Sequence, residues 1–230
     1  MATVILVRHG RTGANTGGVL AGATPGVELD DTGRAQAERL ASRLSEVALA
    51  AVVSSPLERC RQTAEAIVAG QSNRPDVRIE ERLTEIGYGD WTGRPLSELT
   101  ADPAWSTVQH YPSAVRFPGA NGETLRAAQI RAVDAIRDWD AAMIDLHGAD
   151  AIWVACSHGD VIKAVIADAL GMHLDLFQRI VVDPAGLSVI RYTGTRPYLL
   201  RLNDTGAVSD LRAARQAGPD AVVGGGAGGS

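Results

Sequence analysis

Residues 3–10, TVILVRHG, join a continuous apolar run to a polar tip of Arg8, His9 and Gly10. A short run without alternation predicts a strand buried on both faces, as in a parallel sheet covered by helices. Downstream, strand-like and helix-like periods alternate. Residues 10–26 are rich in Gly, Thr and Pro and read as loop. Thr32 suits the N-cap of a helix running to Val47, with Ala37, Leu40, Ala41, Leu44 and Val47 on one stripe. A second strand is expected over 50–54, and Pro56 opens a helix to Ala69 as its first residue, where a missing N–H costs nothing. Residues 77–79 return as a strand.

Residues 87–122 carry many Gly and Pro, with one short helix expected, and read as an insert over the sheet. The clearest helix is 124–146, where Leu125, Ala128, Ala132, Ile136, Trp139, Met143 and Leu146 recur at spacings of three and four. A strand over 151–156, a helix over 159–170 ended by Gly171, and strands over 187–192 and 197–202 complete an α/β pattern with a largely parallel sheet. These elements predict one domain over residues 1–204. Residues 205–230 are expected to form a flexible tail, Gly- and Ala-rich from Gly218 onward.

With 230 residues, 45% of them hydrophobic, the chain can bury a sizeable core. A net charge of −5 gives no sign of nucleic-acid or membrane attraction. No apolar run approaches the roughly 20 residues that span a bilayer. The two cysteines, Cys60 and Cys156, are too few for a disulfide framework and suggest reduced thiols in a cytoplasmic protein. Lys163 is the only lysine, which genomic composition explains best. A homodimer would be unsurprising by base rate.

Polar clusters fall after four of these strands, where α/β sheets gather their functional groups. They are Arg8-His9-Gly10, Ser54 to Arg59, Leu83-Thr84-Glu85 and Ser157-His158-Gly159. Each alone is weak, since a His-Gly pair after a strand is usually a structural turn. Together they suit phosphoryl transfer. Arg8 and Arg59 offer planar forks of donors for phosphate oxygens. Arg59 also lies in the first turn of its helix, where free N–H groups favour anions. A neutral imidazole, with an ordinary pKa of about 6.5, is a competent nucleophile. Glu85 can protonate a leaving alkoxide, and His158 can donate to charge building on the transferring group.

Six stretches then resemble the histidine phosphatase superfamily, the phosphoglycerate-mutase-like group. They are VRHGRTGAN (7–15), LDDTGRAQAERLA (29–41), SSPLERCRQTAEAI (54–67), LTEIGYGDWTG (83–93), FPGANGET (117–124) and CSHGDVIKAV (156–165). The resemblance implies a three-layer α/β/α sandwich and a phosphohistidine on His9, with Glu85 as general acid. It implies a phosphate pocket of Arg8, Arg59, His158 and Gly159, with Asn15 as a further phosphate contact. It implies no metal and no organic cofactor, and a small-molecule phosphate ester as substrate. Gly22, Tyr88 and Arg94 are the candidate substrate contacts, and Trp91, Trp105, Tyr111 and Phe117 of the insert are either pocket walls or packing.

Departures from the pattern choose a branch. The cofactor-dependent mutases carry threonine where Ala21 precedes Gly22, and lysine shortly after the glycine matching Gly93, where this chain reads RPLSEL. Their paired substrate-carboxylate arginines have no counterpart beyond Arg94 and Arg116. Hydrolysis is therefore favoured, with a phosphomutase as the alternative and a non-catalytic phospho-ligand binder as the rival from another class. A serine hydrolase is disfavoured by the absence of G-x-S-x-G around Ser157. A metallo-phosphatase on His9, His158 and Asp160 lacks a metal-ligand spacing, and adjacent arginines would repel a cation.

Overall fold

A computed structural model describes residues 2–206. Six strands form one sheet: β1 (Thr3–Arg8), β2 (Ala51–Ser54), β3 (Val77–Ile79), β4 (Ile152–Ser157), β5 (Leu187–Tyr192) and β6 (Pro197–Asp204). Their order is β3-β2-β4-β1-β5-β6. The pairings from β3 through β1 are parallel, and β5 is antiparallel to both β1 and β6. The residues expected to form a flexible tail lie, apart from the first two, outside the described residues.

Strand alternation sends side chains to two apolar layers. Ile5 and Val7 of β1 with Val154 and Cys156 of β4 face helices α2 (Asp31–Leu44) and α3 (Glu58–Ala69). Val4 and Leu6 with Trp153 and Ala155 face α6 (Leu125–His147) and α7 (Gly159–Ala169). The result is the expected α/β/α sandwich. The insert adds two short helices, α4 (Leu96–Leu99) and α5 (Pro103–His110), and has no core of its own. Trp91, Leu99, Val108, Val115 and Phe117 join the same apolar cluster as β1.

Several boundaries move for identifiable reasons. The loop after His9 contains a one-turn helix, α1 (Gly13–Thr16), closed by a reciprocal cap between Thr12 and Asn15. The N-cap of α2 is Asp30 rather than Thr32, because the Asp30 carboxylate accepts the Gly33 N–H at 2.7 Å. That helix ends at Leu44, where the Ser45 hydroxyl turns back to the Ser42 carbonyl. Pro56 does not open α3. Leu57 is still extended, at φ −73° and ψ 142°, and helix begins at Glu58. The stripe of α6 is buried from Leu125 to Met143 except for the partly buried Trp139, but Leu146 is 73% exposed.

Two glycines let α2 approach the loop after β1. A Cβ on Gly33 would sit 2.0 Å from the Arg11 carbonyl oxygen, and one on Gly10 would sit 2.5 Å from the Gly33 carbonyl oxygen. Both obstacles are backbone and cannot rotate away. Gly33→Ala should lower the unfolding free energy by about 1–3 kcal/mol, as overpacking does. Gly13→Ala has no atom within 4 Å of the new Cβ and should be neutral. Urea unfolding of the pair checks this.

Candidate active site

The parallel register of β1 and β4 runs from Thr3 opposite Ile152 to Arg8 opposite Ser157. The next residue on each strand is a histidine, and the His9 N–H donates to the Ser157 carbonyl at 3.1 Å. Their rings meet edge to face, with centroids 5.3 Å apart. After β1 the chain leaves toward α2 on one face, and after β4 it leaves toward α7 on the other. The two connections part here, which opens a crevice at the carboxyl ends of the central strands.

His9 is fixed by its neighbour. Its Nδ1 lies 2.7 Å from the Gly10 carbonyl oxygen, which can only accept, so Nδ1 carries the proton and Nε2 keeps its lone pair. Gly10 is itself held, because its N–H donates to the Thr63 hydroxyl of α3 at 3.1 Å. Burial pushes the His9 imidazole well below its ordinary range, and the Arg59 and Arg8 charges add to this against the Gly10 hydrogen bond. The ring is neutral near pH 7.

A small pocket opens in front of His9, with Arg59 and Glu85 beside it and Thr12, Asn15 and the Val19–Gly22 segment as its wall. Arg59 donates through Nη2 to the Gly22 carbonyl at 2.7 Å, while its buried Nη1 has no partner in the protein. A buried orphan donor is costly, and an anion's oxygen would satisfy it. The Oδ1 of Asn15 accepts from Thr12, which leaves the Nδ2 amide as the donating end. Arg8 is buried outside the pocket wall and donates to the Val182 carbonyl at 2.8 Å.

Glu85 follows β3 at a distance, carried back over the sheet by a 3-10 turn (Glu81–Leu83). The Ser157 hydroxyl holds the Leu83 carbonyl at 2.7 Å. Arg131 of α6 donates to the carbonyls of Arg82, Thr84 and Glu85 and to the Glu123 carboxylate, which in turn accepts the Gly87 N–H. The Glu85 carboxyl is buried at the pocket wall. Burial pushes it up to about 7, Asp160 adds to the rise, and Arg59 and Arg8 oppose it. It therefore holds a proton over a range where an exposed carboxyl has lost it.

His158 caps α7 and is buried. Its Nε2 meets the Ser55 hydroxyl at 2.8 Å, and its Nδ1 lies 3.7 Å from Glu85 Oε2. Ser55 Oγ also takes the Leu57 N–H at 3.4 Å, which leaves the hydroxyl proton for Nε2 and the ring proton for Nδ1. Burial, then Arg59, lowers the His158 imidazole well below its usual value.

Of the residues predicted from sequence, His9, Asn15, Gly22, Arg59 and Glu85 line the pocket. Gly159 stands against the Arg8 guanidinium, where a Cβ would lie 3.4 Å from Nε. Tyr88 is buried behind Glu85, with its ring edge-on to Phe117. Arg94 points to Glu98 at 3.7 Å, away from the pocket wall. Among the insert aromatics, Trp91 and Phe117 are core, Trp105 lies tilted against Trp91 with centroids 6.0 Å apart, and Tyr111 is 65% exposed. Sequence reasoning missed Thr12, Thr63, Glu123 and Arg131, and placed Ser55 in a polar cluster without a role. Arg131 left one signal: a charged residue at the stripe spacing, three after Ala128 and four before Ala135.

A sequence profile described as histidine phosphatase superfamily (branch 1) matches residues 4–205. The chain belongs to that superfamily. This histidine phosphatase is 30% identical over 212 residues to phosphoserine phosphatase 1 of Hydrogenobacter thermophilus, covering 89% of this chain and 93% of that one. It is 30% identical over 190 residues to a 2,3-bisphosphoglycerate-dependent phosphoglycerate mutase of Thermoplasma acidophilum, covering 83% and 87%. Its fold matches phosphoserine phosphatase from Entamoeba histolytica in complex with phosphoserine, at TM-score 0.77 and 25% identity, covering 89% and 98%. The phosphatase activity that the motifs implied is the activity these comparisons support.

The raised Glu85 carboxyl has a consequence for stability. Below its unfolded value both states hold the proton, and as pH rises through the folded value of about 7 the buried group resists ionising. Stability from Glu85 is thus lost between about pH 4.5 and 7. Glu85→Gln carries no such proton. Its stability relative to wild type should rise by on the order of 2–3 kcal/mol from about pH 5 to about pH 8. Urea titrations at both pH values measure this, and a constant difference would mean that Glu85 does not titrate there.

Proposed function

We propose that the protein hydrolyses small-molecule phosphate monoesters through a phosphohistidine on His9, with one catalytic domain over residues 1–204. The observation that carries this is the pairing of protonation states. A neutral His9, with its proton fixed on Nδ1, stands beside a buried Glu85 that keeps its proton to about pH 7. Arg8, Arg59, His158 and Asn15 hold the phosphoryl oxygens, with Gly159 supporting Arg8. His9 Nε2 bonds to phosphorus as the ester P–O bond breaks, and the Glu85 proton goes to the leaving oxygen. Water then attacks the phosphohistidine and returns a proton to Glu85. The P–N bond breaks, and inorganic phosphate leaves.

Hydrolysis is preferred to the mutase reaction because Arg59 is the only cationic side chain lining the pocket. Arg94 is paired to Glu98, and Arg11 to Asp30 at 2.9 Å. A phosphoglycerate would bring a carboxylate with no guanidinium waiting for it. Gly22 contributes its carbonyl to Arg59, whereas Tyr88, fully buried, and Arg94, paired to Glu98, do not reach the ester's organic group as expected from the sequence. The two cysteines are free and buried, which fits a cytoplasmic protein. No helix among the described residues is long and apolar enough to cross a membrane. The −5 net charge argues against a nucleic-acid partner.

Rapid acid quench with a labelled ester should trap phosphorus on the wild-type protein and none on His9→Ala. Phosphate release across a panel of esters should vanish in that variant. Transfer between 2- and 3-phosphoglycerate without net release would instead indicate the mutase. Glu85→Gln should slow poor leaving groups by about 10²–10⁴-fold and activated aryl phosphates far less. An equal loss on both would contradict proton donation.

The pH profile of kcat/KM should be a bell on the acid side of neutrality, as in an acid phosphatase. Its rising limb follows deprotonation of His9 below its ordinary value, and its falling limb follows Glu85 near 7. A falling limb present in wild type should be absent in Glu85→Gln. A profile flat from about pH 5 to about pH 8 would contradict both assignments.

A further inference from the structure

We propose that Asp160 is a positioning residue: by taking the hydroxyl proton of Tyr88, it leaves only that oxygen's lone pairs facing Glu85, and so keeps Glu85 protonated. This rests on the reading of Glu85 as proton donor. Asp160 sits in the first turn of α7, fully buried and outside the pocket wall. Its Oδ2 takes the Tyr88 hydroxyl at 3.1 Å, and its Oδ1 faces the Lys163 ammonium at 3.2 Å. Lys163 is also buried, bonded to Gln178 Oε1 at 3.0 Å and lying over the Phe177 ring. A buried ion pair is weak evidence for stability, because desolvation offsets its attraction. The only lysine of the chain, placed inside the core, therefore calls for another reason.

The geometry supplies one. A phenol has a single proton to give. Tyr88 Oη lies 3.1 Å from the ion-paired carboxylate of Asp160 and 3.5 Å from Glu85 Oε1. The shorter, charge-assisted bond takes the proton. Burial and the two carboxyls raise the Tyr88 phenol well above its ordinary value, so this proton is not lost to solvent. Toward Glu85 the phenol then shows lone pairs, which a carboxylic acid tolerates and a carboxylate does not.

The other groups facing Glu85 do not do this job. Arg8 from β1 and Arg59 from α3 favour the carboxylate. So does the Ile86 N–H, 3.0 Å from Oε1. His9 is neutral, and His158 presents Nδ1 at 3.7 Å. Arg131 from α6 binds the Glu85 carbonyl rather than its carboxyl. Burial and Asp160 oppose the arginines. If Asp160 released the Tyr88 proton, Tyr88 would join the arginines in stabilising the anion.

The experiment titrates Glu85 by ¹³C NMR of glutamate-labelled protein and records kcat/KM against pH for the same variants. Asp160→Asn should move both the Glu85 midpoint and the falling limb down by about one pH unit. The double variant Asp160→Asn, Lys163→Met leaves no buried ammonium without a partner, and should show the same movement. In a Tyr88→Phe background, adding that double variant should move both clearly less, because only the direct charge of Asp160 on Glu85 is then lost. An unmoved Glu85 midpoint in the folded double variant would overturn the proposal, as would an undiminished shift without Tyr88. A moved midpoint with an unmoved falling limb would uphold the orienting of Tyr88 and sink proton donation by Glu85 instead.

Discussion

The site depends on the parallel register of β1 with β4. Hydrogen bonding fixes Arg8 opposite Ser157, so the residue after each strand falls at the same height above the sheet. His9 and His158 are brought ring to ring by the ladder that builds the core, with no loop needed to find its place. Slipping that register by one residue would turn Val4, Leu6, Trp153 and Ala155 out of their apolar layer. Packing energy and catalytic geometry therefore select the same alignment. This couples the stability of the sheet to the position of the nucleophile.

Burial is the second organising effect, and it acts on acid and base in opposite senses. Removing water disfavours charge, so the same enclosure drives His9 toward its neutral form and Glu85 toward its protonated form. The arginines would by themselves ionise Glu85 at ordinary pH. That it stays raised shows desolvation outweighing two nearby cations. The support shell explains how the chain tolerates this. Gly10 is held by Thr63, the Glu85 segment by Arg131, Glu123 and Ser157, and His158 by Ser55. Each of these bonds reduces the freedom of a reacting group before any substrate arrives.

Much of this was legible along the chain. Strands with continuous apolar runs, such as 3–8 and 151–156, could only be buried, and helices with clean stripes could only lie against them. The boundaries that moved are those set by side-chain competition. Asp30 outbids Thr32 for the cap because its carboxylate is the stronger acceptor and reaches the Gly33 N–H. Pro56 suits a helix start, but the turn after β2 must first bring Ser55 to His158. The insert aromatics were ambiguous because an indole or phenyl ring serves equally as wall or filling, and only the packing against β1 settles which.

The sequence by itself determined the α/β class, the family, the four polar clusters and the residue types that phosphoryl transfer needs, because strand and helix periods and local motifs are properties of neighbouring residues. What only the tertiary structure decided are the relations between residues far apart in the chain. These are the enclosure that sets the protonation of His9 and Glu85, the turning of Arg94 toward Glu98, and the buried chain from Lys163 through Asp160 and Tyr88 to Glu85. Desolvation and hydrogen-bond direction depend on what surrounds a group in space. No spacing along the chain encodes that until the sheet has brought the surroundings together.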